Sequence, residues 1–291
     1  MNFIDLVLHT ALIQHALIAG ALTGVCCACL SPLVVLKRMA FVGDGIAHAS
    51  YGGMGLALFL MSTAGFYSIE VQLGTLAFAL VLGALIGYVT RHPEGLEKLG
   101  EDSVIGIAFS VCMALGALLI KLRHNRTPQT IPSVDVFLFG SMLNIGWTDI
   151  ALLAGVLLAV LFMLIALKKE LLFYAFDARL AEVSGVRAGP IHYLFIMLLV
   201  LTVTVSARVV GIVLVSATLI IPGAVALRVC KRLGPAMIFA ALIGLVSFEL
   251  GVYASYALNV PPGSAIVLIQ FIFLPLAPLL KDRDAKSSER T

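Results

Sequence analysis

Apolar residues run along this chain in blocks of about twenty, separated by short polar or charged intervals. A helix needs about 20 predominantly apolar residues to cross the hydrocarbon core of a bilayer. Nine blocks meet or approach that length: Ile4–Val35, Ala40–Met61, Val71–Thr90, Val104–Leu122, Thr148–Leu167, Ile191–Ala207, Val209–Val229, Ala236–Leu258 and Ser264–Leu280. The first is too long for one straight span and is expected to end near Ser31-Pro32. The seventh is interrupted by Pro222-Gly223, so it is read as a broken helix or a half-span near a transport path, with eight full spans as the alternative. The pattern predicts an all-α polytopic membrane protein with 8–9 transmembrane helices. One domain covers residues 1–280, and the polar stretch 281–291 is expected to be an irregular tail.

Composition supports this class. The 291 residues are 61% hydrophobic and 12% charged, whereas a soluble domain carries about a quarter charged residues. A formal net charge of +3 gives no case for nucleic-acid binding. The first Lys or Arg is Lys37, so the opening block lacks the basic head of a signal peptide and reads as a retained helix. Placing the N-terminus outside puts fifteen of the 19 Lys and Arg on the cytosolic side, and the C-terminus with them. The loop "KLRHNR" is the one dissenting segment.

Five cysteines, three of them in "CCAC" (Cys26, Cys27, Cys29), lie in or beside apolar stretches. An odd number in such places does not read as a disulfide framework. The cluster is read as small apolar residues in a helix rather than as a soft-metal site.

Asp44 and His48 stand four residues apart near the head of the second block. On a helix they share one face, about 6 Å apart along the axis. Titratable groups within a span are unfavourable unless they serve a pathway or pair with one another. A carboxylate and an imidazole so placed can hold one divalent cation, and oxygen plus nitrogen suits zinc, manganese or iron(II) better than calcium or copper(I). The alternative is an Asp–His hydrogen bond that fixes helix packing. Glu249 is the other acidic residue expected within the membrane, as a third ligand, a proton-linked partner or a hydrogen-bonded structural carboxyl. His9 and His15 read as interfacial or packing residues.

The stretch "LKRMAFVGDGIAHASYGGMGLAL" resembles the zinc/manganese/iron class of ABC importer permeases, in which a basic pair precedes "G-D-x-x-x-H-A". The "HAS" variant looks most like the zinc permeases. In order along the chain, "FLFGSMLNIGWTDI", "LLFYAFDARLAEVSGV", "VVGIVLVSATLIIPGAVA" and "NVPPGSAIVLI" resemble further segments of the same class. The resemblance implies the metal/vitamin B12-type importer fold, a homodimer, a cytosolic ATPase dimer and an extracytoplasmic metal-binding protein. It implies a metal site in the membrane at Asp44 and His48. It also implies that the segment 171–186 holds a coupling helix that docks into the ATPase, with Phe176, Asp177, Ala178, Arg179, Leu180 and Ala181 as contacts. The residues agree: Asp177 can cap "ARLAEV" and Gly185 is a natural stop. Asn259 stands where relatives often carry aspartate, and Arg208 where they often carry an uncharged residue. Arg208 is read as snorkelling to an interface rather than guarding an outer mouth.

Enzymatic readings find little support. No Gly-Lys dipeptide occurs, so the chain has no P-loop and the energy must come from a separate ATPase. No histidine is followed by glutamate, which excludes H-E-x-x-H. "VGDG" lacks both the preceding glycine and the second aspartate of an intramembrane aspartyl protease. A secondary metal transporter remains the alternative. No cofactor is expected to be held permanently; the cargo is expected to be zinc first, with manganese or iron next.

Overall fold

A computed structural model describes residues 10–61, 68–91, 101–126, 138, 140, 145–176 and 188–288. The described residues contain no strand. Helices follow in the order α1 (Ala11–Leu36), α2 (Ala40–Leu60), α3 (Ile69–Arg91), α4 (Glu101–Arg126), α5 (Trp147–Ala166), α6 (Lys168–Phe176), α7 (Ala188–Val210), α8 (Ile212–Thr218), α9 (Ile221–Val229), α10 (Leu233–Leu258) and α11 (Pro262–Ser288). Each of the nine predicted blocks is mainly helical over its described residues, with Val209–Val229 interrupted at Gly211 and at Leu219-Ile220. Seven stretches are long and apolar enough to cross a membrane, Ile212–Val229 among them, and Pro262–Pro278 is a shorter apolar helix. The helix α2, which carries Asp44 and His48, is not among the seven. It is tolerated because it is enclosed by protein: most of its residues are buried, against α3, α4, α7 and α8.

The centre of the fold is α1 with α7. Both bury most of their apolar stretch inside the protein, whereas α3 and α4 bury little of theirs. Lipid tails are as apolar as leucine, so helices here associate through close packing and polar contacts rather than through hydrophobicity. Small residues make that closeness possible. A Cβ on Gly55 would lie 2.7 Å from Gly116 Cα, and one on Gly52 would lie 2.5 Å from the Cys112 carbonyl oxygen. The backbones of α2 and α4 therefore touch. Gly24 and Gly244 do the same for α1 and α10.

The first helix does not stop at Ser31-Pro32. It runs through Pro32 to Leu36 and ends in a Schellman turn: Met39 N–H donates to Val34 O at 2.9 Å and Arg38 N–H to Val35 O at 3.1 Å. Arg38, at φ 57, takes the left-handed position usually given to glycine. A proline this near the C-terminal end removes one helix hydrogen bond, and surrounding helices hold the chain in place. Asn259 has a similar duty. It ends α10 in the left-handed conformation (φ 53, ψ 47), which asparagine tolerates better than most residues. The tail also departs from expectation: α11 continues through Ser288, so residues 281–288 are helical. Lys, Arg and Ala in that stretch favour helix.

Two polar clusters tie helix ends together. At one end Arg208 of α7 donates from Nη1 to Gln72 Oε1 of α3 at 2.6 Å, and its Nε lies 3.4 Å from Asp149 Oδ1 of α5. Asp149 Oδ2 in turn accepts from Gly146 N–H at 3.1 Å. Arg208 is thus part of a largely buried ion pair. Nearby in sequence, His15 Nδ1 donates to Ile145 O at 3.1 Å and its ring meets Trp147 edge-on, the packing role expected of it. The other cluster centres on His192 of α7. Its Nε2 faces Thr90 Oγ1 at 3.0 Å and Gly87 O at 3.2 Å. A carbonyl only accepts, so in the neutral ring the proton sits on Nε2 and Nδ1 accepts from Tyr174 Oη at 2.7 Å. Lys37 Nζ lies 3.8 Å over the same Tyr174 ring.

Candidate metal site

Asp44 and His48 occupy the second and third turns of α2, on one face as their spacing requires. His48 Nε2 stands 3.7 Å from Asp44 Oδ1. That is longer than a hydrogen bond and within reach of an ion pair. Two donors each about 2.1 Å from a common cation stand about 3.7 Å apart at a donor–metal–donor angle near 120°. The Asp44 side chain is 43% exposed and that of His48 is 19% exposed, so the pair opens on its carboxylate side.

Neighbours fix the pair unevenly. The His48 ring packs edge-on against Phe109 of α4, with centroids 4.6 Å apart. Its Nδ1 is buried without a hydrogen-bond partner. Ligating histidines usually donate from the second nitrogen to a carboxylate or carbonyl that orients the ring and raises its basicity. Among the described residues Nδ1 has no such acceptor, and the ring rests against the Phe109 edge. Asp44, by contrast, is held: Ser216 Oγ of α8 donates to its Oδ1 at 2.7 Å. The approach of α2 to its surroundings is close, with Gly45 against Ile105 and Gly43 against Leu219.

The structure does not bring Glu249 into this site. Glu249 lies on the exposed face of α10. No group of three or more His, Cys, Asp or Glu placed to hold a metal ion exists among the described residues. Cys26, Cys27 and Cys29 are free and buried; Cys26 Sγ lies 3.8 Å from Thr202 Oγ1 and Cys27 Sγ 3.7 Å from Ser206 Oγ, as packing residues between α1 and α7. Pro222 and Gly223 are buried in the first turn of α9. The break itself falls just before them, at Leu219-Ile220. Of the coupling residues, Phe176 ends α6 and is 69% exposed. Asp177, Ala178, Arg179, Leu180 and Ala181 lie outside the described residues, as does His9. Sequence reasoning missed Ser216, Phe109 and the Tyr174–His192 contact. A lone serine in "VLVSATL" and a histidine opening a span were the available signals.

Residues 9–280 match the model of the ABC 3 transport family. The chain belongs to that family. Among its relatives is the manganese transport system membrane protein MntC of Halalkalibacterium halodurans, 35% identical over 94% of this chain and 89% of that protein. Another is the chelated iron transport system membrane protein YfeD of Yersinia pestis, 32% identical over 91% of this chain and 84% of that one. Among solved structures, PsaBC from Streptococcus pneumoniae in complex with Fab contains a chain with a TM-score of 0.81 at 30% identity, covering 98% of both chains. This protein is therefore a multi-pass permease subunit of an ABC-type metal importer, a transport component and not an enzyme.

Proposed function

We propose that this permease carries a first-row divalent metal ion, manganese before zinc, toward the cytosol through a site formed by Asp44 and His48. The observation that carries the reading is the 3.7 Å gap between a carboxylate oxygen and a ring nitrogen on one helical face. Carboxylate and hydroxyl oxygens suit manganese, while imidazole suits zinc and iron as well. The relatives named for manganese and iron weight the choice toward manganese. The "HAS" sequence keeps zinc as the second reading.

In this scheme two copies of the chain flank the path in the cytoplasmic membrane, N-termini outside and C-termini in the cytosol. An extracytoplasmic binding protein releases the cation at the outer side. Asp44 and His48 replace part of its lost hydration. A cytosolic ATPase dimer, docked at the segment 171–186 through Phe176, Asp177, Ala178, Arg179, Leu180 and Ala181, then drives opening inward near the Pro222-Gly223 break.

The test is ATPase stimulation in the reconstituted complex with its cognate binding protein, compared across manganese, zinc and iron(II). Stimulation by one of these, lost in the Asp44→Ala, His48→Ala double variant, supports the reading. Equal stimulation in the double variant overturns it. Metal uptake that proceeds without any ATPase favours the secondary-transporter alternative.

A further inference from the structure

We infer that Ser216 supplies the third protein donor of the cation site, a neutral hydroxyl oxygen delivered from a different element of the fold. The inference rests on the reading of Asp44 and His48 as ligands and adds to it. Two donors are few for a transition-metal dication, which takes four or more. Ser216 Oγ is 2.7 Å from Asp44 Oδ1, the same oxygen that faces His48 Nε2. A hydroxyl oxygen and a ring nitrogen therefore converge on one carboxylate oxygen.

The hydrogen bonding of Ser216 differs from that of five other hydroxyls in these helices. Ser50, Thr75, Thr90, Ser110 and Thr218 each donate to the carbonyl four residues earlier, at 2.8–2.9 Å. That is the usual way for a serine or threonine to satisfy itself within a helix. Ser216 gives its proton to a carboxylate on another helix instead. A hydroxyl rotates freely and keeps two lone pairs. With the site empty it donates to Asp44; with a cation between them it turns a lone pair toward the metal. Two oxygens bound to one cation at right angles stand about 3 Å apart, so a few tenths of an ångström of relaxation completes the arrangement.

The segment bearing Ser216 is held in place at both ends. Gly211, at φ 85, starts α8, and Gly140, at φ 80, presses on it: a Cβ at Gly140 would lie 2.5 Å from Val210 C and 2.8 Å from Gly211 N. At the other end Gln270 Nε2 of α11 donates to Thr218 Oγ1 at 2.9 Å, and both side chains are fully buried. Ser216 is thus presented by a scaffold rather than by a loop. A neutral third donor leaves the site with a single negative charge, which favours capture without permanent retention. It also keeps the set free of sulfur, favouring manganese, iron(II) or zinc over softer ions.

The test is direct binding to the full-length permease in lipid nanodiscs, with manganese followed by the loss of its free-ion paramagnetic resonance signal and cadmium by calorimetry. Ser216→Ala should weaken manganese binding about tenfold, Ser216→Thr should restore it, and Ser216→Cys should weaken manganese while tightening cadmium. Wild-type affinities in Ser216→Ala and Ser216→Cys, with binding abolished in Asp44→Ala, would overturn the role of Ser216 and leave the site standing. Undiminished binding in Asp44→Ala and His48→Ala, or none in the wild type, would overturn both. Matching melting temperatures across the variants separate a lost ligand from a lost fold.

Discussion

Gly223 N–H donates to Ser31 Oγ at 2.7 Å, so the first turn of α9 is capped by a side chain 192 residues away on α1. The first four N–H groups of a helix lack partners within it, and this one is buried where no lipid or water can serve it. The same residue must be a glycine, since a Cβ on it would run into Ser31 Oγ and lie 2.5 Å from Ser31 C.

Ser31→Ala should therefore destabilise the protein by about 1–2 kcal/mol. Gly223→Ala should do at least as much by forcing α1 and α9 apart. Thermal unfolding in mild detergent reads both. A melting temperature unchanged in Ser31→Ala would show that the hydroxyl caps nothing.

Arg208→Met should leave Asp149 largely buried without its cationic partner, a loss of about 3 kcal/mol. Adding Asp149→Asn should recover much of it, because the uncompensated charge is gone. Transport should fall with the folded fraction and no further. A rise in uptake on removing the arginine would instead mark it as a barrier to incoming cations.

Acidification should slow uptake, because a ligating ring must be neutral. The sign is fixed by the chemistry: protonation adds positive charge where the cation must sit. A pH profile of uptake, with the binding protein's own metal affinity measured in parallel, isolates the permease step. A profile that stays flat down to the lowest pH at which the protein remains folded would remove His48 from the ligand set.

Tyr174 joins α6 to the rest of the fold through His192 and Lys37. Tyr174→Phe keeps the ring beneath Lys37 but leaves His192 Nδ1 without its donor, and should lower stability by about 1 kcal/mol. Tyr174→Ala removes both contacts and should cost more. Charge reversal at Asp177 or Arg179 should reduce metal-dependent ATPase stimulation without changing metal binding. Pull-down of the ATPase and uptake that both survive reversal would move the coupling contact elsewhere.

By itself the sequence determined the membrane class, the nine helical blocks and the one-face pairing of Asp44 with His48, since these depend on length, periodicity and local composition. It also located a disruption near Pro222-Gly223, because proline and glycine act on their own backbone. Tertiary structure decided which partner each polar group meets. Arg208 looked like an interfacial cation until α3 and α5 delivered Gln72 and Asp149. Glu249 could be read as a ligand, a proton-linked partner or a structural carboxyl, and α10 places it on its exposed face. Ser216 looked like any serine in a span until the turn at Gly211 set its hydroxyl beside Asp44. Such contacts join residues far apart in the chain, 136 positions for Arg208 and Gln72 and 172 for Ser216 and Asp44, and their distances follow from how helices cross, which no local pattern encodes.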